Sequence, residues 1–518
     1  MNRIIKRICA LLLGMTLLCG TALADTAGLE WAAGGYLDGY EDVQFHMTAQ
    51  IGSLTPYDDG TLEMMNALLK NMSVGAKITD AASEMQFCVA GDSIVTLAQA
   101  STPDGLELTT SLLPNRTLVS STSAMDVLSG FEQEEPQFDL FTAIQEAEAC
   151  YQELAEAILP FAEEKAANYN IKNVGSARWV RLARMTPEQS AEILPQIAKV
   201  LGCGMDEAFR KQLSGMTCQK SFVVALYSTR EGGDDLAVYI KGKALFPDGK
   251  QRAISYQWAF AENDRNQRID TYKFDMNKES TPRDNREITG SYKRSTKADT
   301  LLVDGTSKAV IRDPETNSVT TTTITHDLSG KGGAVEGTIS RAVRTAQGET
   351  ASAETVTFAP KLQLAEAEGV AALTGSIHVE QLTGKSVHMS LDILFDEQAA
   401  HETLSDAEDG VMFVVIDERL PESSLSQNLD FEKDEPEEYL VGKPPIGYTV
   451  YDVPEAEVVI RLDDLSAEET SALTDEMIQR LSGHLLTAIA KLPDEATALI
   501  RDNLSEADYA AFLALLDE

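Results

Sequence analysis

Apolar and polar residues alternate along much of this chain, and where the alternation stops the apolar residues fall into helical spacing. Val43, Phe45, Met47, Ala49 and Ile51 interleave with Gln44, His46, Thr48 and Gln50. A period of two places the first set on one face of a strand and the second, His46 included, on the other. A short helix is expected at 62–69. Two strands should follow at 85–97 and 106–119, with Thr102-Pro103-Asp104-Gly105 supplying the residues of a tight turn.

Past a breaker at 130–136 the rhythm changes. Leu140, Ile144, Ala147, Tyr151, Leu154, Ile158 and Phe161 recur at three- and four-residue steps, the stripe of an amphipathic helix. Gln145, Glu146, Glu148 and Glu153 should face outward, Cys150 flanks the stripe, and Pro160 ends or bends the helix.

The centre returns to a period of two. Ile254, Tyr256, Trp258 and Phe260 form one such set, and Tyr272, Phe274 and Met276 another. Val387, Met389, Leu391, Ile393 and Phe395 form a third. Pro247-Asp248-Gly249-Lys250 and Asp313-Pro314-Glu315-Thr316-Asn317 read as hairpin tips. The β-branched run at 320–325 suits a pleated surface. An apolar run at 411–416 reads as a covered strand. About nine or ten strands are expected between 221 and 417 from ordinary strand lengths, in an antiparallel sheet with one wet face. A segment rich in acid and proline, 418–454, reads as a linker. A last strand at 458–462 precedes helices at 467–516.

One internal echo stands out. Arg181-Leu182 and Met185-Thr186-Pro187-Glu188-Gln189 match Arg461-Leu462 and Leu465-Ser466-Ala467-Glu468-Glu469 at a constant offset of 280 residues. Both contain Thr or Ser with Gln or Glu three residues on, the pattern of a helix capping box. A duplicated half and a recurrent local solution both account for it.

The first 24 residues have their own pattern. Arg3, Lys6 and Arg7 precede an apolar run at 8–18, and Ala22-Leu23-Ala24 closes it. This is the layout of a secretory signal peptide cleaved after Ala24. Cys19 offers a competing lipid-anchor reading, disfavoured by the large Leu18 before it. The protein is therefore expected outside the cytoplasm, in the cell envelope or extracellular space, with no integral membrane segment after cleavage.

Charge narrows the partners. The chain of 518 residues carries a formal net charge of −39, which becomes −42 without Arg3, Lys6 and Arg7. Such a field repels nucleic acid and anionic membrane surfaces. It also serves to keep an exported protein soluble. Four cysteines remain after the leader: Cys88, Cys150, Cys203 and Cys218. Three pairings are open to them, and Cys203 with Cys218 closes the shortest loop; the alternative is four buried free thiols.

No catalytic or metal motif is present. G-x-S-x-G, S-x-x-K and C-x-x-C are absent, and Gly330-Lys331-Gly332-Gly333 lacks phosphate-loop spacing. The histidines are His46, His326, His378, His388, His401 and His484. His378 and His388 both fall on polar strand positions, where two imidazoles on one face can hold a transition metal. His401-Glu402 lacks the second histidine of a zinc helix, and Asp406-Ala407-Glu408-Asp409-Gly410 lacks the alternating oxygens of a calcium loop. Among the three tryptophans, Trp258 belongs to an apolar face, Trp31 lies near the N-terminus, and Trp179, between Arg178 and Arg181, is the best candidate for exposure.

These patterns predict an α+β protein: large twisted antiparallel β-sheets with amphipathic helices packed on one face, a β-rich centre and a helical C-terminus. The expected divisions are a leader at 1–24, an α+β region at 25–220, a β-rich region at 221–417, the linker at 418–454 and a strand-plus-helix region at 455–518. The leading expectation is a non-catalytic binding or interaction protein, with a partner protein or a hydrophobic molecule held in a curved sheet. No catalytic residue, cofactor site or metal site is assigned. The alternatives are a secreted hydrolase using paired carboxylates in one pocket, with one pKa raised by burial, and a structural assembly domain.

Overall fold

The computed structural model describes residues 36, 43–57, 59–78, 82–102, 105–120, 138–171, 174–218, 220–231, 235–263, 265–276, 285–297, 299–313, 316–348, 350–367, 370–396 and 458–503. The leader with Cys19, the breaker at 130–136, Trp31, His401, the 406–410 loop, the apolar run at 411–416 and the acidic linker lie outside them.

Within the described residues all strands belong to one sheet, not to several as the sequence suggests. The first strand, β1 (Val43–Leu54), lies in its interior. On one side it continues through β2 (Met72–Ile78), β3 (Ala82–Val89), β4 (Asp92–Thr102), β5 (Gly105–Thr110) and β6 (Arg116–Ser120). That side ends on β21 (Val458–Arg461), which joins β6 in parallel. On its other side β1 pairs with β20 (Ser386–Phe395), the last strand of a long antiparallel meander. The meander runs back through β19 (Val370–Thr383), β18 (Thr350–Ala367), β17 (Ala334–Gln347), β16 (Ser318–Lys331) and β15 (Thr300–Asp313). It continues through β14 (Arg286–Ser295), β13 (Gln267–Met276), β12 (Gln251–Asn263), β11 (Asp235–Leu245) and β10 (Val223–Ser228). Next come β8 (Gly175–Arg184) and β7 (Ala162–Ile171), while the two-residue β9 (Thr217–Cys218) pairs beside β10 on β11. No pairing among the described residues joins β7 to β21, so the sheet is open.

The register sets the faces. Residues directly opposite one another on paired strands share a face. Tracing partners outward from Trp258 gives Tyr272, Gly290 and Ser307; tracing from Ile51 gives Leu391, Val379 and Phe358. These positions fall on the same side of the one sheet, called here the inner face. The helices contribute to two large cores built on that face and to a small third one of Leu108, Leu113, Leu118, Leu462 and Leu473.

The first core packs α2 (Leu140–Ile158) and the short helices α3 (Pro187–Glu192), α4 (Leu194–Gly202) and α5 (Glu207–Ser214) over β10–β16. The predicted stripe is borne out: Leu140, Ile144, Ala147, Leu154 and Ile158 are buried, and Tyr151 and Phe161 pack at the rim. A 3-10 turn carrying Pro160 follows directly. The stripe meets aromatic strand residues, with Phe141 and Tyr292 ring centroids 4.4 Å apart and Phe138 and Tyr272 5.2 Å apart. Trp258, Tyr256 and Phe274 are fully buried beneath, so this part of the face is filled rather than hollow. The expected outward position of Glu146 and Glu148 is corrected. Both are half-buried and paired with arginines, Glu146 with Arg210 and Glu148 with Arg268.

The second core packs α1 (Asp59–Leu69), α6 (Ala467–Ile489) and α7 (Asp494–Asn503) over β1–β4, β19 and β20. Met47, Ala49 and Ile51 point into it, as the alternation predicts. Asn66 of α1 accepts from the Ile51 N–H and donates to the Ile51 carbonyl, both at 2.7 Å. Its amide thus replaces a strand partner where β1 is bulged between Ile51 and Ser53.

Several strand boundaries differ from the sequence reading. The expected strand at 85–97 is two strands, turned at Ala90 and Gly91, both with positive φ. The expected strand at 106–119 breaks at 111–115. The strands flanking 102–105, 247–250 and 313–317 pair antiparallel as the hairpin readings expect, with residues 103–104 and 314–315 outside the described set. Eleven strands occupy 223–395, against nine or ten expected. Both capping boxes form, around Thr186 and Ser466. Their settings are unrelated, since β8 is antiparallel to both neighbours near one end of the sheet and β21 is a parallel strand at the other. The echo is a shared local device and not a duplicated half.

Candidate functional site

Between the two cores no helix among the described residues lies against the sheet. Strands β16–β18 are long, yet β17 has no buried residue and β18 has Leu364 alone among those whose burial is described. A single layer wetted on both faces loses its apolar alternation, and β17 reads Ala-Val-Glu-Gly-Thr-Ile-Ser-Arg-Ala-Val-Arg-Thr-Ala-Gln.

The inner face of this bridge nevertheless gathers apolar residues among its polar ones. Register places His326, Ile339, Phe358 and Val379 in one cross-strand row. The next row holds Ile324, Arg341, Val356 and Gln381, and a third Thr322, Val343, Glu354 and Thr383. Ile339 packs against the first core, and Val356 and Phe358 against the second, so the two cores touch across the facing pair Ile339 and Phe358. Ile324, Ile339, Val343, Val356 and Phe358 each remain partly open to solvent. Together they make a shallow apolar saddle.

Polar groups stand at its centre and along its edges. Arg341 is exposed in the middle of the floor and has no ion pair among the described residues. Glu354, the nearest carboxylate of the floor in register, instead accepts a hydrogen bond from Gln381 Nε2. At one rim His326 is buried, hydrogen-bonded through Nδ1 to the Tyr292 hydroxyl at 2.8 Å and set edge-on to Phe141. Burial pushes its pKa down to about 4, so the ring is neutral at pH 7. The backbone is specialised here too. Pro360 on β18 lacks an N–H, and the β17–β18 ladder is interrupted opposite it, at Gly337 and Thr338. Gly337 has φ +135°, and a Cβ there would lie 1.8 Å from the Asp327 carbonyl oxygen, so only glycine fits.

The residues weighed from sequence do not converge on this saddle. His378 stands opposite Asp392, donating from Nδ1 to Oδ1 at 2.7 Å, and not opposite His388. His388 sits where the β19–β20 register shifts, so the two imidazoles do not face each other as a metal pair would require. Among the described residues no group of three His, Cys, Asp or Glu side chains converges as metal ligands would. His46 lies half-buried on the outer face of β1, its pKa lowered by burial and partly restored by the Asp396 charge. His484 is hydrogen-bonded through Nδ1 to the Ile94 carbonyl at 2.9 Å. Trp179 is half-buried rather than exposed. The four cysteines are free, and the expected Cys203–Cys218 pairing is not made: the Cys218 thiol donates to the Lys220 carbonyl at 2.8 Å, while Cys203 neighbours Cys150.

One charged cluster was not anticipated. Asp270 is 2% exposed beneath α2 and accepts from Trp258 Nε1 at 3.2 Å and from Arg268 Nε at 3.0 Å. Arg268 also pairs with Glu148. Burial raises the Asp270 pKa, and the Arg268 charge opposes the rise. Both carboxylates are engaged with one arginine, which is a structural arrangement and not a free acid–base pair. The signal was available in the sequence, because Asp270 shares the parity of Tyr272, Phe274 and Met276.

No known protein family and no curated protein matches the sequence. Among solved structures, the chain is similar to Pseudomonas aeruginosa OpdL at 7% identity, covering 68% of this chain and 96% of that one with a TM-score of 0.21. Pseudomonas aeruginosa OpdQ gives 7% identity with the same coverage and a TM-score of 0.15. The outer membrane protein OmpT of Vibrio cholerae gives 10% identity, 69% and 98% coverage and a TM-score of 0.12. These scores lie below the level of a shared fold. No helix among the described residues is long and apolar enough to cross a membrane.

Proposed function

We propose that this protein is an exported, non-catalytic binding protein whose inner-face saddle takes up an amphiphile with an anionic head group. The observation that supports the reading is the combination at β16–β18: an apolar floor left uncovered between two sealed cores, with the exposed Arg341 in its centre. An apolar chain gains by covering Ile339, Val356 and Phe358. A carboxylate or phosphate head gains a charge-assisted contact from the guanidinium, at a point where the strongly acidic chain supplies no competing ion pair among the described residues. Export rests on the leader pattern of the first 24 residues.

The test is fluorescence titration with an 18-carbon polyene fatty acid. Saturable binding is expected, weakened about tenfold or more in Phe358→Asp and in Arg341→Glu, a tenfold change being about 1.4 kcal/mol. The corresponding alcohol should bind more weakly than the acid to the parent chain, and equally with the acid to Arg341→Gln. Absence of saturable binding, or variants that bind like the parent, would overturn the proposal.

A second reading, assembly through a sheet edge, draws on β21. It is paired on one side alone among the described residues, and Val458 and Val459 are 48% and 60% exposed. Sedimentation velocity separates the readings: a monomer at micromolar concentration removes the second.

A further inference from the structure

The packing of α2 against α4 brings two cysteines together that are 53 positions apart in the chain. Cys150 lies on the flank of the α2 stripe, and Cys203 is the C-cap of α4. The Cys203 thiol, 2% exposed, donates to the Lys199 carbonyl at 3.3 Å, and the half-buried Cys150 thiol lies beside it. The turn carrying Cys203 is pressed onto α2. Gly204, with φ +68°, would place a Cβ 2.2 Å from the Asp139 carbonyl oxygen and 2.5 Å from the Ala143 Cβ. Its own carbonyl accepts from the Asp139 N–H at 2.9 Å, and its N–H donates to Glu146 Oε2 at 2.8 Å. Glu146 in turn receives two hydrogen bonds from Arg210, at 2.9 and 3.0 Å, closing the far side of the turn. Glycine and ion pair together fix the distance between the two sulfur-bearing backbones.

We infer that Cys150 and Cys203 are a redox site, which closes into a disulfide by exchange with a small-molecule or protein disulfide.

The environment favours the closed form. Burial raises both thiols, so a thiolate is poorly accommodated. A disulfide is neutral and needs no hydrogen bond, whereas a thiolate here has little to stabilise it. The more open Cys150 is the entering nucleophile. Its thiolate attacks the external disulfide, forming a mixed disulfide and releasing one thiol. The Cys203 thiolate then attacks the Cys150 sulfur, forming the internal bond and releasing the second thiol. Two electrons pass from the cysteine pair to the external disulfide, and the two protons leave to the released thiols. Cys88, on β3, and Cys218, bonded to the Lys220 carbonyl, take no part.

The experiment treats the full chain with oxidised glutathione and alkylates the remaining thiols, followed by intact mass and peptide mapping. The expected product carries one Cys150–Cys203 crosslink with Cys88 and Cys218 alkylated, and forms faster as pH rises from 7 to 9 because both thiols are raised. Its thermal midpoint should exceed that of the reduced chain by several degrees, whereas Cys150→Ser should show no shift on the same treatment. Four alkylated cysteines after exhaustive treatment, or a crosslink of Cys203 to Cys218, would overturn the inference. Either result leaves the binding reading of the saddle untouched.

Discussion

Asp270→Ala should destabilise the first core by about 3–5 kcal/mol, the cost typical of removing one partner from a buried ion pair. The carboxylate is 2% exposed and answers three donors at once, the Arg268 Nε and Nη2 groups and the Trp258 indole N–H. Deleting it leaves a guanidinium of 12% side-chain exposure with the partly open Glu148 as its remaining counter-charge. It also leaves the indole N–H buried without an acceptor, which adds its own penalty. Urea unfolding followed by Trp258 fluorescence measures the effect. The double variant Arg268→Met, Asp270→Leu should recover part of the loss, because replacing both charges with apolar groups removes the desolvation cost of each, while the Trp258 N–H stays without an acceptor and Glu148 without its arginine. A single-variant loss under about 1 kcal/mol would show that the cluster is less sealed than its geometry indicates.

The second large effect is an acid-dependent loss of stability at the rim of the saddle. His326 has a folded pKa of about 4, lowered by burial from 6.5. The unfolded chain therefore takes up the proton first as pH falls. The neutral ring's full contribution is present above about pH 6.5 and is lost progressively down to about pH 4, where the folded state also becomes protonated. A shift of this size corresponds to about 3 kcal/mol across that window. His326→Gln should lack this share of the slope. The difference in unfolding free energy between variant and parent should change by about that amount between pH 7 and pH 4. An unchanged difference would mean that the ring is already accessible to protons in the folded state. Because His326 shares a cross-strand row with Ile339 and Phe358, the same titration should loosen the rim of the saddle.

The two cores were largely legible in the sequence, for a physical reason. A strand or helix with one buried face must repeat its apolar residues at its own period, and Leu140 to Ile158, Ile254 to Trp258 and Met47 to Ile51 do so. One-sided packing of helices on antiparallel strands followed from the same patterns, although the union of all described strands into one sheet did not. That union depends on the pairing of β1 with β20, a contact between residues more than 300 positions apart, which no local pattern encodes. The saddle was illegible for a complementary reason. Apart from His326, Leu328 and Leu364, strands β16–β18 bury none of the residues whose burial is described, so Thr320–Thr323 and Ala334–Gln347 carry no strong period, and Pro360 argues against an interior strand where one exists. Asp270 and His326 were readable as polar residues at core parity, but their partners Arg268 and Tyr292 become meaningful only with the register. The cysteine pairing was misjudged because loop length favours Cys203 with Cys218, while helix packing places Cys150 closer.

If the inner face at β16–β18 takes up the amphiphile, photolabelling with an 18-carbon fatty acid carrying a terminal diazirine, followed by peptide mapping of the full chain, should place the label there. Saturable label is expected on peptides spanning 318–367, on Ile339, Val356, Phe358 and their neighbours, displaced by unlabelled acid. Label spread over the outer face, or confined to the sheet edges at β7 and β21, would rule the saddle out as the binding surface.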